Sequence, residues 1–592
     1  MSNSKKLVIV ESPSKAKKIQ EVLGSNYKVL ASMGHIVELG KGGKFGIGVD
    51  VNDNFRPKYV LMEDKYDTLD KLLKASKECD QIIIASDPDR EGEAIGWHLK
   101  ERLEGCDKPF TRVKFSELTK TEIKKAINNT MDLDINLFHS QEARRILDRL
   151  VGFMASPFLM AFFGDKLSAG RVQSVVTKMI VEREKEIDAF VPEEFWTASV
   201  SLSKDMKLAF DAKYSKKITD QVTADKVKAS LNDDFIVHSV DSGQESKPVP
   251  APMITSSLQR IMSKDHGMSP DKTMKAAQSL YESGLCTYIR TDSFRASEEA
   301  IISARDFLKS KTLPIPAKPN TFKNKDSAQD AHECIRPTDL SIDPSNEIAD
   351  LDQRKVYEVI KDYFLASQMT PAIFTTLKVV MKAKKDKSCE VVASGKAIKS
   401  PGYLELLGSN ENTKISIPLL EKNDELTLIG KSPIRIEKKK TQPPPRYSID
   451  VLLKMLEDKK IGRPSTYADL VAKIATRNYV EMSGNVFHPT ALGIKINDIL
   501  NKYFSFMDYK YTAKMEEQLD IVANGKLSHK DMLKDFYSSF KDEINKAYLD
   551  QGSTLCEKCN SAMVVRTAKV SGDKFLSCSA YPACKNTKSL KK

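Results

Sequence analysis

The stretch from Ile82 to Glu93, IIIASDPDREGE, constrains the fold most. Its first four residues are apolar without interruption, which predicts a strand buried on both faces of a parallel sheet. Apolar residues then recur at helical spacing over residues 95–103. Asp87, Asp89 and Glu91 therefore fall on the turn between a strand and a helix, at the edge where α/β sheets bind ligands.

These three acids supply only oxygen ligands. Such a set favours a hard cation such as Mg²⁺, which commonly acts on phosphates, over zinc. A solvated acidic turn would have the same composition, and the stretch alone leaves that alternative open.

The N-terminus predicts a second strand of the same sheet at residues 7–10, with Glu11 at its carboxyl end. Ser12 can cap a helix that Gly24 closes. Lys15 would lie in the first turn of that helix, where a cation is unfavourable unless an anion is nearby. The anion could be a bound phosphate or, in a purely local pair, Glu11.

Length and charge limit the class of protein. A chain of 592 residues is too long for one core and should hold several domains. Its net charge of +12 favours a polyanionic partner, although a plain basic surface gives the same sum. The sequence contains no phosphate-binding G-x-x-x-x-G-K-[ST] motif, which argues against an ATP-driven motor. We see no bilayer-length apolar run and no signal peptide, and expect a cytosolic protein.

Two segments suit a phosphodiester backbone. The helical pattern of residues 136–190 places arginines beside apolar positions, and a turn-like start follows at 167–174. Residues 463–466 precede a second helical pattern that begins near Ala468. A salt-bridged surface helix is the alternative for such charges. The glycine- and lysine-rich residues 39–48 lack a dinucleotide-binding spacing and predict a flexible connection.

A predicted strand at residues 285–290 would place Tyr288 and Arg290 on the same side. A phenol can attack a phosphodiester, and a guanidinium can neutralise it. The chain has 18 tyrosines, so a half-buried strand tyrosine is the alternative. Further on, His332 and Arg336 would face alike if their segment is helical.

Four cysteines near the C-terminus form two pairs, Cys556 with Cys559 and Cys578 with Cys584. Four thiolates grouped in this way predict a tetrahedral structural zinc site, which would supply folding energy to a small module. Free thiols are the alternative, because the second pair is spaced more widely than usual.

Aromatic residues stand among basic ones in this tail, with Phe575 and Tyr581 near Arg566, Lys569, Lys574 and Lys585. Aromatic rings stack on bases and cations contact the backbone of single strands. The tail therefore predicts a module that binds single-stranded DNA.

Six stretches of the chain, in the same order, resemble the bacterial type IA DNA topoisomerase family. They are residues 8–17, 87–95, 167–174, 288–293, 332–337 and 461–467. The resemblance implies ATP-independent relaxation of negatively supercoiled DNA. One strand would be cut through a 5′-phosphotyrosine intermediate, another passed through the gap, and the cut religated.

The resemblance also assigns residues. Tyr288 would be the nucleophile, Lys15 would protonate the leaving 3′-oxygen, Arg290 would stabilise the scissile phosphate, and His332 would support the tyrosine. Glu11 would serve catalysis and, with Asp87, Asp89 and Glu91, would bind Mg²⁺. The residues implied to contact DNA are His35, Arg90, Arg144, Arg145, Asp148, Arg149, Ser168, Arg171, Gln173, Ser174, Asp292, Arg336, Arg463, Ser465 and Thr466.

The implied fold class is multidomain α/β, with a Rossmann-like Toprim domain, helical and β-arch domains that form a toroid, and a C-terminal zinc ribbon. We expect the Toprim domain at 1–135, the helical DNA-binding domain at 136–195 and 441–550, the arch at 196–250 and 368–440, the tyrosine domain at 251–367 and the ribbon at 551–592. The expected partner is single-stranded or underwound DNA, bound by a cytoplasmic, nucleoid-associated monomer without membrane contact.

Two other classes of function share parts of this pattern. Toprim acids also occur in primases and nucleases, but those enzymes would not need Tyr288 and would leave no covalent adduct. A non-catalytic DNA-binding scaffold would need only the basic charge and the zinc tail. The presence of every expected catalytic residue argues against a scaffold.

Overall fold

The computed structural model describes residues 5–41, 47–163, 167–324, 332–409, 417–568, 572–581 and 584–589. Residues 42–46, the middle of the predicted glycine- and lysine-rich connection, lie outside this part, and so does Lys569.

A small parallel sheet carries the acidic stretch. The elements of this region are β1 (Lys6–Val10), α1 (Pro13–Leu23), β2 (Tyr27–Ala31), β3 (Val37–Leu39), β4 (Val49–Asp50), β5 (Arg56–Pro57), β6 (Tyr59–Leu61), α2 (Tyr66–Lys77), β7 (Gln81–Ile84), α3 (Arg90–Leu103), β8 (Phe110–Arg112) and α4 (Lys120–Asn128). The sheet order is β2-β1-β7-β8, and Val8 pairs with Ile83 in parallel register. Both strands are buried on both faces, as predicted. Their carboxyl ends therefore lie side by side.

Local capping fixes the two helices that follow these strands. Ser12 accepts a hydrogen bond at the start of α1, and Gly24 ends that helix with a φ of 73°, as predicted. Asp89 caps α3 and accepts a hydrogen bond from the Gly92 amide at 2.9 Å. A Cβ atom at position 92 would lie 2.2 Å from the carbonyl oxygen of Asp87. Only glycine lets the acidic turn fold this closely onto α3.

Two long helices come next, α5 (Ile135–Phe163) and α6 (Gln173–Asp188). By length and composition alone α5 could cross a membrane, which the sequence expectation did not foresee. Its residues Ile146, Leu150 and Phe158 are buried in the largest apolar core of the described part of the chain. Core packing accounts for its apolar character.

The chain then enters a sheet region and a helical region. The sheet region contains β9 (Glu194–Ser203), β10 (Phe210–Tyr214), α7 (Gln221–Leu231) and β11 (Phe235–Lys247), and the helical region contains α8 (Thr255–His266), α9 (Pro270–Glu282), α10 (Glu298–Ser310), α11 (Pro344–Glu347) and α12 (Leu351–Ser367). β11 ends at Lys247, directly before the prolines at positions 248, 250 and 252. Ser269 caps α9 and accepts a hydrogen bond from the Lys272 amide.

One prediction in this helical region is wrong, and the condition attached to another is not met. Residues 285–290 form no strand, because Cys286 makes a single bridge to Pro337 and the Tyr288 amide bonds to the Ser116 carbonyl. The segment with His332 is extended instead of helical, so it does not share a helical face with Arg336. In both segments, backbone groups find partners far away in sequence, which local patterns do not reveal.

The chain next returns to the sheet. The returning elements are β12 (Ala372–Ala383), β13 (Glu390–Ser400), α13 (Leu404–Leu407), β14 (Glu425–Leu428) and β15 (Ile434–Lys440). Together with the earlier strands they form a seven-stranded antiparallel sheet of order β10-β13-β12-β11-β14-β9-β15. One sheet thus unites strands from two separate parts of the chain.

The remaining helices complete the largest core and a second core beside α6, and a small ribbon packs on the largest core. The elements are α14 (Ile449–Asp458), α15 (Tyr467–Thr476), β16 (Val480–Ser483), β17 (Val486–Pro489), α16 (Ala491–Tyr503), α17 (Tyr509–Ala523), α18 (His529–Asp550), β18 (Met563–Thr567), β19 (Lys574–Cys578) and β20 (Thr587–Ser589). Ala562 and Val564 of the ribbon are buried in the same core as Tyr548 of α18. Asn545 on α18 also accepts hydrogen bonds from the Ala562 amide and the Ser579 hydroxyl.

Candidate active site

Glu11 and Asp87 meet at the adjacent ends of β1 and β7. The Asp87 amide donates a hydrogen bond to Glu11 Oε1 at 2.7 Å, and the Lys15 ammonium forms a buried ion pair with the Asp87 carboxylate. The anion expected beside Lys15 is therefore Asp87, not Glu11. Burial, followed by repulsion from Asp87, raises the pKa of Glu11 to about 7. The two carboxyls of Glu11 and Asp87, which form this corner of the site, therefore carry more negative charge than Lys15 alone neutralises.

A buried arginine, Arg112, binds the backbone on which Asp87 lies. The Arg112 guanidinium donates to the carbonyl oxygens of Ser86 at 2.9 Å and Asp87 at 2.7 Å, and its Nε lies 3.1 Å from Glu93. Arg112 and Glu93 have no exposed surface. These contacts fix the backbone that presents Asp87. Sequence reasoning missed Arg112, because one arginine at the end of a strand carries no local signal.

Tyr288 lies against the acidic turn. Its hydroxyl donates to Asp89 Oδ2 at 2.7 Å, and Arg290 Nη1 lies 3.4 Å from the same oxygen. The side chain is almost fully buried, and burial, followed by the charge of Asp89, raises the pKa of Tyr288 well above its usual range. The phenol is therefore protonated in this closed arrangement. Asp89 is 199 residues from Tyr288 and 201 residues from Arg290 in the sequence, so the fold alone brings the acid to this pair.

His332 packs on the same tyrosine. The two ring centroids are 5.8 Å apart and the rings stand at 71°. His332 Nε2 lies 3.2 Å from the carbonyl oxygen of Pro88, so Nε2 carries the proton that this oxygen accepts. Burial lowers the pKa of His332, and a neutral ring results.

Each acid of the turn has its own partner. Asp87 pairs with Lys15, Asp89 accepts from Tyr288, and Glu91 contacts both His35 and Gln141. Among the described residues, the acids form no group whose ligand atoms all lie within 4.8 Å of one another. Mg²⁺ usually keeps several waters and binds proteins through one or two carboxylates. The oxygen-only donor set and its excess charge fit such an ion.

A groove runs from the tyrosine along α5. A cavity of about 470 Å³ beside Asp89 shares Arg144, Arg145 and Asp148 with a second cavity of about 570 Å³, so the two lie next to each other. Thirteen of the fifteen residues that the sequence assigned to DNA contact line one or both cavities. They are His35, Arg90, Arg144, Arg145, Asp148, Arg149, Ser168, Arg171, Gln173, Asp292, Arg463, Ser465 and Thr466.

Two acids on α17 organise the arginines of this groove. Glu516 is fully buried and lies 2.8 Å from Arg171 Nη1 and 3.6 Å from Arg144 Nη2. Asp520, one turn later, lies 2.6 Å from Arg463 Nη2. Although Arg171 lines the second cavity, its guanidinium is fully buried and pairs with Glu516 and with Asp148. Sequence reasoning missed both acids, although a glutamate on an apolar helical face was a signal.

Two of the assigned residues lie elsewhere. Ser174 is buried and accepts a hydrogen bond from the Gly170 amide at 3.2 Å. Arg336 is paired with Glu117 at 3.0 Å and with Glu333 at 2.7 Å, outside both cavities of the groove. The structure gives both side chains protein partners.

The four ribbon cysteines form one cluster. Their ligand atoms all lie within 4.8 Å of one another, with Sγ···Sγ distances of 3.7 Å for Cys556–Cys584 and 3.4 Å for Cys559–Cys578. A tetrahedron with metal–sulfur bonds of about 2.3 Å has edges of roughly 3.8 Å. The thiols are free, and the cluster fits Zn²⁺.

A buried tyrosine that faces acids beside a basic groove is typical of an enzyme that acts on a phosphodiester. A family profile described as "DNA topoisomerase" matches residues 132–534, "Toprim domain" matches 6–118 and "Topoisomerase DNA binding C4 zinc finger" matches 553–592. The structure of full-length topoisomerase I from Thermotoga maritima is similar, with a TM-score of 0.81 and 32% identity over 99% of this chain and 97% of that one.

The chain belongs to the bacterial type IA DNA topoisomerase family, because the first profile alone covers more than half of it. It relaxes negatively supercoiled DNA by cutting one strand through a 5′-phosphotyrosine link, passing another strand and religating the cut. The multidomain fold with a Toprim domain and a C-terminal C4 zinc ribbon is confirmed.

Proposed function

We propose that Tyr288 is the nucleophile of this reaction. The observation that carries the proposal is the 2.7 Å hydrogen bond from its hydroxyl to Asp89, because it puts a phenol and its proton acceptor beside a groove that suits DNA. Tyr288 Oη attacks the phosphorus, the bond from phosphorus to the 3′-oxygen breaks, and the phenol proton passes to Asp89. Lys15 gives a proton to the leaving 3′-oxygen. Arg290 neutralises charge at the phosphate.

Glu11, Asp87, Asp89 and Glu91 would hold Mg²⁺ in this site. When bound, the ion supplies positive charge that offsets the phosphates and helps to position the strand. The raised pKa of Glu11 supports this role, since it reflects the burial of this carboxyl and, next, the negative charge of Asp87 beside it.

The reaction needs no ATP in this proposal. A phosphotyrosine bond keeps the energy of the broken phosphodiester, so the 3′-hydroxyl can reverse the attack. The absence of a phosphate-binding G-x-x-x-x-G-K-[ST] motif from the sequence is consistent with this. The enzyme would act as a cytoplasmic, nucleoid-associated monomer on single-stranded or underwound DNA, without membrane contact.

The proposed domains are a Toprim domain at 1–135, a helical domain at 136–195 and 441–550, an arch at 196–250 and 368–440, a tyrosine domain at 251–367 and a ribbon at 551–592. The seven-stranded sheet supports the two-part arch, since it contains strands from both segments. Strand passage would require the tyrosine domain to lift away from the Toprim domain.

Plasmid relaxation tests the proposal. Wild-type protein should relax negatively supercoiled plasmid with Mg²⁺ and without ATP, and EDTA should stop it. Tyr288→Phe should be inactive. Tyr357→Phe is the matched control, because Tyr357 is also buried in the tyrosine domain but donates to the Asp339 carbonyl, away from the acids. Relaxation by Tyr288→Phe would refute the assignment.

A further inference from the structure

The tyrosine domain rests on the segment after β8, residues 113–118, which we name the β8 tail. The Tyr288 amide donates to the Ser116 carbonyl at 2.8 Å, and the Tyr281 hydroxyl donates to the Phe115 carbonyl at 3.1 Å. A Cβ atom at Gly284 would lie 2.7 Å from the Leu118 carbonyl oxygen. These contacts must break before Tyr288 can move away from Asp89.

One ion pair spans the same boundary. Arg336 Nη2 lies 3.0 Å from Glu117 Oε2, and their side chains are 10% and 16% exposed. The Thr119 hydroxyl donates to the other Glu117 oxygen at 2.9 Å and orients it. Arg336 Nε contacts Glu333 at 2.7 Å, but that contact stays within the tyrosine domain. Arg336 therefore has one carboxylate partner on each side of the boundary.

Arg336 is joined directly to the tyrosine segment. Its amide donates to the Thr287 hydroxyl at 2.9 Å, and the Thr287 amide donates to the Arg336 carbonyl at 2.9 Å. Thr287 precedes Tyr288 in the chain. Any displacement of Arg336 from Glu117 is thus transmitted to the backbone of the tyrosine.

The boundary beside this pair is open to water. A cleft of about 450 Å³ separates the two domains there, with Glu117 and Thr121 on one wall and Ser297, Ser303 and Glu333 on the other. An unfilled cleft contributes little packing energy. The partly buried ion pair at the edge of this cleft therefore adds a charge-assisted contact to the apolar core that the two domains share elsewhere along the boundary.

We propose that Glu117 and Arg336 form a latch that sets how long the gate, the closed contact between the tyrosine domain and the Toprim domain, stays closed. Both are positioning residues, since neither lines the groove. The inference rests on the proposed position of Tyr288 at the gate. The latch keeps the cleaved strand enclosed until thermal opening separates the pair, and religation is favoured while it holds.

Single-molecule extension measurements test the latch. The protein is bound to a single-stranded DNA tether under constant force with Mg²⁺, and gate opening after cleavage appears as a step in length. Glu117→Gln should shorten the closed dwell time at least about tenfold, because hydrogen bonds to charged groups contribute enough for such a factor. Glu333→Gln is the matched control. Glu333 lies in the tyrosine domain with Arg336, so this variant removes a partner of Arg336 without removing a contact across the boundary. It should not shorten the closed dwell time.

Two results would overturn the latch. One is an equal effect of Glu117→Gln and Glu333→Gln, and the other is an unchanged dwell time in Glu117→Gln. Covalent adduct on a short oligonucleotide is measured in the same preparations and should form in both variants. If wild-type protein forms no adduct through Tyr288, the proposed nucleophile is wrong. An adduct with unchanged dwell times leaves the nucleophile in place and removes the latch alone.

Discussion

Replacing Glu516 by Gln removes the carboxylate that neutralises the buried end of the groove. Glu516 has no exposed surface. Burial by itself would raise the pKa of its carboxyl, but Arg144 and Arg171 hold this pKa well below the usual range. Breaking a buried pair from one side costs about 3–5 kcal/mol. Arg171 keeps Asp148 at 3.2 Å, so we expect the lower end, about 3 kcal/mol.

Tryptophan fluorescence can report this change locally. The chain has two tryptophans, and Trp97 stacks on Phe138 of α5 with 5.1 Å between ring centroids. In a Trp196→Phe background, Trp97 alone reports on urea unfolding around α5. A local probe is needed because large proteins do not unfold in one step. Glu517→Gln is the control. Glu517 follows Glu516 in the sequence, is half exposed and pairs with Lys460 at 3.1 Å, so its replacement should cost less than about 1 kcal/mol.

The stability that Glu516 contributes should also depend on pH. A carboxyl with a lowered pKa stabilises the folded state above its unfolded pKa, and this contribution is lost as the pH falls. The difference between wild type and Glu516→Gln should therefore be largest near neutral pH and shrink in acid. If Glu516→Gln shifts the unfolding midpoint no more than Glu517→Gln does, the buried carboxylate of Glu516 does not stabilise the folded state as expected.

Three further outcomes are expected. Burial raises the pKa of Glu142, which lies beside Tyr59, from 4.5 to about 7. The free energy of unfolding should therefore fall by about 3 kcal/mol as the pH rises through this range. In urea unfolding, Glu142→Gln should stabilise the protein at pH 8 and not at pH 4. Cys559→Ser should abolish the one zinc per chain that metal analysis finds in wild type; unchanged zinc would contradict the cluster. Gly92→Ala should push on the Asp87 carbonyl and slow oligonucleotide cleavage about a hundredfold, whereas an unchanged rate would contradict the need for glycine.

Much of the Toprim sheet could be predicted because its signals are local. Uninterrupted apolar runs indicated β1 and β7, and Ser12 and Gly24 marked the ends of α1. The acidic turn between β7 and α3 followed from the same patterns. Where one short segment fixes the geometry, sequence reasoning was sufficient.

Contacts between distant segments could not be predicted in this way. Residues 285–290 satisfy their backbone through Ser116 and Pro337, which are remote in sequence, so the predicted strand is wrong. The burial of Arg171 depends on Glu516, more than 300 residues later. An arginine at the start of a helix looks the same in sequence whether it faces a groove or a buried carboxylate.

The role of Tyr288 as nucleophile can be tested by identifying the amino acid that is joined to cleaved DNA. A single-stranded oligonucleotide carrying a different label at each end is incubated with protein and Mg²⁺, trapped with denaturant and digested for peptide mass spectrometry. If Tyr288 is the nucleophile, the protein carries the label of the 3′ fragment, linked through its 5′ phosphate, and the modified peptide contains Tyr288. Attachment to the other fragment, or to another of the 18 tyrosines, would contradict that role.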